Sequence, residues 1–298
     1  MVDQSYLSIY AKSFNWAGFF LPKQTYLKCS ALYDFCRVAD NIADSNEAIE
    51  IKKIKFLDFQ NNFNNQTYND PIIKNMWQLI EEFNIPIKVV QDLLDGINSD
   101  IQENIKIHKK KDLLIYSYRV AGTVGLMMAK ILRVSKKNSL KSAIDLGIAM
   151  QLTNISRDIM QDYKKNRIYI PENTGINKDI ISNMTSENEK KIKKVVNQII
   201  LKSEIYYKSS LNGMRYIPIR SRLAILVSLR IYQGIGIKIT KTEKKFIHEN
   251  LYVTNIEKTL IVAKALIEFL IFFIFPIYKK KHNIYLHESL EGLYDIHR

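Results

Sequence analysis

Apolar residues recur along the chain at steps of three and four, and sustained period-two alternation is hard to find. That periodicity predicts an all-α protein, with helices at 24–44, 47–63, 70–83, 86–101, 110–133, 139–165, 187–212, 219–240 and 254–275. Pro22, Pro71, Pro86, Pro171 and Pro218 each fall at a break in the pattern, where a helix should start or stop. No Gly/Ser-rich or Pro-rich linker divides the chain, and no repeat of fixed period is found. Residues 1–298 are therefore expected to fold as a single domain.

Composition changes this picture little: 47% hydrophobic and 25% charged residues is an ordinary globular balance. Cys29 and Cys36 sit seven apart on one expected helix, which separates them by roughly 10 Å of rise, too far to bridge. The N-terminus has neither a signal-peptide nor a transit-peptide pattern, so a reduced, cytoplasmic location is expected. Charge is the anomaly. The formal net charge is +14, with lysine clusters at 106–111, 190–194 and 279–281. Most such runs are solvated faces, although together they would favour an anionic partner. Near the C-terminus, FLIFFIFPIY (269–278) is apolar but shorter than the roughly 20 residues needed to span a bilayer. Segment 260–281 is read as a core helix or as a membrane-interface helix with a lysine collar.

Two acids four apart share a helix face. Chance alone gives about three such pairs here, and three are found: Asp40/Asp44, Asp158/Asp162 and Glu291/Asp295. Spacing therefore proves nothing. Surroundings distinguish the first two. Gln151, Asn154, Asp158 and Asp162 form one polar stripe on an otherwise apolar helix, and Tyr33, Arg37, Asp40 and Asp44 form another. Such stripes face either solvent or a polar cavity. Two of them face to face would suit Mg²⁺, which takes oxygen ligands and shares its shell with phosphate. Arginines and lysines nearby would meet the remaining phosphate charge.

The blocks YDFCRVADNIAD (33–44), YSYRVAGTVGLMM (116–128), QLTNISRDIMQDYKKNRIYIP (151–171) and RSRLAILVSLRIYQGIG (220–236) resemble, in order, those of the squalene and phytoene synthase family. YAKSF (10–14) and LYVTNIEKTLIVAKAL (251–266) are similar to its terminal blocks, and 116–128 looks most like the bacterial phytoene synthases.

The resemblance implies an isoprenoid synthase fold with a central cavity. The implied reaction is head-to-head joining of two prenyl diphosphates through a cyclopropylcarbinyl diphosphate. By the same similarity Asp40, Asp44, Asp158 and Asp162 would bind Mg²⁺ (or Mn²⁺) with Asn154 assisting. Lys12, Ser13, Arg37 and Arg157, with Gln151 and Arg167, would contact substrate, and Tyr116 and Tyr232 would line the site near the carbocations. Asn41 and Gln161 stand where relatives often carry a third acid, and Tyr10-Ala11 replaces a common His-Ser.

No dinucleotide fingerprint is present, so no nicotinamide cofactor is expected. The five histidines show no metal-ligand spacing and are expected at the surface. Geranylgeranyl diphosphate is the favoured substrate. Farnesyl diphosphate (giving presqualene diphosphate or dehydrosqualene) and a catalytically silent assembly protein are the alternatives. A membrane surface is an expected partner, and specific nucleic-acid binding is not.

Overall fold

The computed structural model describes residues 20–103, 105, 107–242, 251–274 and 282–293. Among these there are helices and no strands. The helices are α1 (Lys23–Asp44), α2 (Ile49–Asn64), α3 (Pro71–Phe83), α4 (Ile87–Ser99), α5 (Lys110–Ser117), α6 (Thr123–Ile131) and α7 (Lys137–Arg157). They continue with α8 (Ile159–Lys164), α9 (Lys178–Ser182), α10 (Ser186–Ser210), α11 (Ile219–Lys241) and α12 (Asn255–Ile274). Lys12, Ser13, Lys106, His248, His297 and the lysines at 279–281 lie outside the described residues.

Local chemistry explains the boundaries. Pro22, Pro86 and Pro218 each immediately precede a helix. Pro71 occupies the first turn of α3, behind Asp70, whose carboxylate accepts from the Ile72 amide. Asn84 ends α3 in the left-handed conformation at φ 48°. Thr185 caps α10, with Glu187 and Glu189 in the first turn to complement the helix dipole.

The centre of the molecule is α7, which packs against α6, α10 and α11. Ile144, Ile148, Ala149, Leu152 and Ile155 are buried on it, and so are several hydroxyls. Those hydroxyls are satisfied locally: Ser156 donates to the Leu152 carbonyl, and Thr153 pairs with both the Ala149 carbonyl and the Tyr207 hydroxyl. Close approach of α7 to the helix before it depends on glycine. A Cβ at Gly147 would lie 2.1 Å from the Ala121 carbonyl oxygen, and one at Gly125 would lie 2.3 Å from that of Ala143.

Two expected helices differ in detail. The span 110–133 runs continuously but contains a π-turn at Tyr118–Gly122, where the Thr123 amide reaches back five residues to the Tyr118 carbonyl. The span 139–165 breaks at Asp158 (φ −101°, ψ 17°). The break follows from a side-chain pair: Arg157 binds Asp158 bidentately at 2.7 and 2.6 Å. Adjacent residues on a regular helix do not face each other, so that pairing needs the backbone to turn. The short helix α9 and the 3₁₀ segments Glu172–Thr174, Leu211–Tyr216 and Ile284–Leu290 were not anticipated, being too short for a periodic signal.

The histidine expectation is corrected in part. His108 is exposed, but His282 and His287 are buried, because both point into the core at Asp145 on α7.

Candidate active site

Three helix ends bring five carboxylates together. Asp40 and Asp44 come from the last turns of α1, Asp100 caps the end of α4, Asp158 stands at the break between α7 and α8, and Asp162 follows it one turn on in α8. Their charges are felt across the group: Asp100 acts on Asp40 and on Asp162, and Asp44 on Asp100. Thus the two stripes seen in sequence face each other, with Asp100 between them. Burial, Asp100 and Asp44 push Asp40 up to about 7. Burial and Asp158 push Asp162 up to about 8. Burial also raises Asp100, to about 6, against the pull of Arg167 and two phenols.

The basic residues divide the group. Burial would raise Asp44, but Lys165 Nζ (2.9 Å) and Arg167 Nη1 (2.6 Å) more than offset it and hold that carboxyl below its ordinary range. Arg167 is buried and also donates to the Ala43 carbonyl, which ties the end of α1 to the segment after α8. Arg157 occupies Asp158, and its guanidinium also stacks over Tyr252 at 5.2 Å. Arg37, half-buried on α1, stands next to Asp40 and Tyr33 in charge terms.

The remaining expected residues fall in two places. Gln151, Asn154 and Tyr232 line a cavity of about 270 Å³, together with Asp40 and Tyr33. The rest of its wall is mostly apolar. Along α7 the lining residues run from Ser139 to Asn154, fifteen steps of rise or about 22 Å of helix. Tyr116 is elsewhere. Its hydroxyl donates to Asp100 Oδ2 at 3.0 Å, and its ring stacks on Tyr169 at 4.6 Å. Tyr169 donates to the other oxygen of Asp100 at 2.9 Å.

Asp100, Tyr169 and Lys165 belong to the site and were not singled out in the sequence. Asp100 has no partner acid four residues away, so the spacing criterion passes it over. Lys165 and Tyr169 lay in view within the block 151–171 but gain meaning only through their partners.

The donor set suits a hard divalent cation. All five carboxylates and the Asn154 amide offer oxygen. Asn154 Oδ1 is buried and has no hydrogen-bond partner, while its Nδ2 contacts Gln151 at 3.4 Å. Carboxyls raised by burial and by one another would be relieved by a cation shared among them.

An all-α body whose paired aspartate stripes face each other beside an apolar cavity is an isoprenoid synthase fold. A solved dehydrosqualene synthase superposes with a TM-score of 0.71 at 25% identity, covering 89% of this chain and 94% of its own. The 15-cis-phytoene synthase of Pantoea ananas is 29% identical over 277 residues, covering 87% of this chain and 88% of its own length. The phytoene synthase of Rhodobacter capsulatus is 30% identical over 260 residues, covering 85% and 76% respectively. The squalene/phytoene synthase family model matches residues 8–257, and the chain belongs to that family.

Proposed function

We propose that the protein is a phytoene-synthase-type prenyltransferase, which joins two geranylgeranyl diphosphates head to head and releases both diphosphates. The observation that carries this reading is the pair of aspartate stripes meeting beside an apolar cavity that Asp40 and Asn154 line, with Arg157, Lys165 and Arg167 paired to the aspartates. Asp40, Asp44, Asn154, Asp158 and Asp162 would hold Mg²⁺, which when bound neutralises charge developing on the departing diphosphate. Arg37, Arg157, Lys165 and Arg167 supply the remaining positive charge, with Lys12 and Ser13 assigned by resemblance alone. Tyr232 and Tyr33 present phenol rings beside the cavity, where an aromatic face stabilises an allylic cation. The neutral phenols of Tyr116 and Tyr169 hold Asp100 in place.

Cavity length favours the longer substrate. A main chain of sixteen carbons, with bonds of roughly 1.5 Å laid out in a zigzag, spans roughly 20 Å, close to the 22 Å of lining along α7. Cavity volume favours the shorter one: 270 Å³ is small against the ~300–1,000 Å³ of typical ligand sites. Length is fixed by the backbone of α7, whereas volume is set partly by Met128, Met150 and Met214, which re-pack readily. On that ground we weigh length above volume, and the dehydrosqualene-type reaction on farnesyl diphosphate is the second reading.

The test is product analysis with purified protein and Mg²⁺, supplying geranylgeranyl and farnesyl diphosphate separately. Phytoene from the first is expected. Asp158→Asn should lose turnover by at least a hundredfold while keeping its helical circular dichroism. Product from farnesyl diphosphate alone would move the protein to the second reading, and no product from either would make it the silent family member.

The exposed face of α12 and the basic charge support a peripheral, cytoplasmic membrane association. Ile256, Leu260, Ile267 and Leu270 are 59–76% exposed and follow one helical stripe. Among the described residues, α11 alone is long and apolar enough to cross a bilayer. Half of that stretch is buried in the protein, as in a core helix.

A further inference from the structure

Asp145 lies nine residues before Asn154 on α7, which places it half a helical revolution away, on the side opposite the cavity. It is completely buried, and its two oxygens meet two imidazoles from the C-terminal segment. His282 Nε2 lies 2.8 Å from Oδ2, and His287 Nε2 lies 2.7 Å from Oδ1. The rings are themselves in contact, with centroids 4.5 Å apart. One donor atom from each residue falls within 4.8 Å of the others.

Among the described residues no lysine or arginine is ion-paired with this carboxylate, so its charge is balanced only by what the two histidines bring. Both Nδ1 atoms are buried without a hydrogen-bond partner. A carboxylate only accepts, so each Nε2–H donates to Asp145, and a metal bound at Nε2 would require each ring's proton to move to its unpartnered Nδ1. An ion about 2.0–2.1 Å from an Nε2 and the oxygen beside it would see them roughly a right angle apart, so a tetrahedral ion needs each ring to draw back from the carboxylate by about half an ångström. Two imidazoles with one carboxylate select a divalent transition cation of the zinc class over magnesium.

We propose that Asp145, His282 and His287 form a transition-metal site that fastens the C-terminal segment to the central helix. The site is separate from the aspartate cluster in place and in donor type. Its role is structural: it joins points 137 and 142 residues apart in sequence, where Tyr206 adds a single hydrogen bond to the Leu286 carbonyl. Holding 282–293 against α7 stiffens the helix that carries Gln151, Asn154 and Asp158.

Full-length protein, purified without a polyhistidine tag, tests this by metal analysis and by Co²⁺ titration followed in the visible spectrum. About one equivalent of transition metal per chain is expected, with histidine-ligand bands on Co²⁺ substitution and a melting temperature that falls on chelation and recovers with Zn²⁺. His282→Gln and His287→Gln should each lose at least tenfold in Zn²⁺ affinity, whereas Asp158→Asn should retain it. Wild-type protein that takes up no Zn²⁺, and melts identically with chelator or Zn²⁺, overturns the proposal and leaves a hydrogen-bonded Asp–His cluster. Metal bound equally by the histidine variants, or lost in Asp158→Asn alone, overturns it as well. Should the histidine variants fail to fold, the wild-type uptake and melting measurements decide by themselves.

Discussion

Asp100 shows how one residue adds to the effect of burial on its neighbours. Its charge helps to raise Asp40 and Asp162, so Asp100→Asn should let both ionise at lower pH. The acidic limb of the pH–activity profile is expected to move down by about half a unit or more. A profile that keeps its midpoint while activity falls would show Asp100 to be only a scaffold for Tyr116 and Tyr169. The same residue marks the limit of the sequence. Asp40, Asp44, Asp158 and Asp162 were legible because each pair repeats at a helical step amid apolar neighbours. Asp100 was not legible, since it reaches the cluster from a third helix and its importance lies in two phenols 16 and 69 residues away. His282 and His287 were misread for the same reason: their partner is a distant aspartate rather than a neighbour in sequence.

At the scale of elements, the 3.6-residue period located the long helices to within a few residues. It missed the break at Asp158, which an arginine–aspartate pair imposes, and the π-turn, which leaves apolar periodicity nearly intact. Packing between elements was less visible still. Gly147 had no sequence mark, yet any side chain there meets the Ala121 carbonyl. Gly147→Ala should destabilise the protein by about 1–3 kcal/mol, as overpacking against backbone does, and lower the melting temperature by several degrees. An unchanged melt would mean that α7 can separate freely from the π-turn at Tyr118–Gly122. The α12 stripe makes a separate prediction. Vesicles containing anionic lipid should bind the protein at low salt, and replacing Leu260 and Ile267 with Ser should weaken that binding severalfold without altering the melt. Equal binding by the variant would assign the attraction to charge alone.

For the whole molecule, the raised carboxyls link metal, proton and stability. In the metal-free protein Asp40 and Asp162 keep their protons to about 7 and 8, well above the value near 3.9 of an unfolded chain. Their contribution to stability is full below about pH 4 and is lost as pH rises through the folded values. Added Mg²⁺ should therefore raise the melting temperature more at pH 8.5 than at pH 6, and calorimetry with and without chelator reads the difference directly. An equal gain at both values would remove these two residues from the metal site. The ion pairs of the aspartate cluster carry a further consequence. Arg157 on Asp158, and Lys165 with Arg167 on Asp44, mean that the empty protein already carries its own counter-ions. On the proposed function, an arriving diphosphate would have to win those cations from the aspartates, and a departing one would hand them back. Binding is thus an exchange of partners inside a nearly constant charge inventory. The re-formed pairs would act as a return stroke that helps the site let go of its diphosphate.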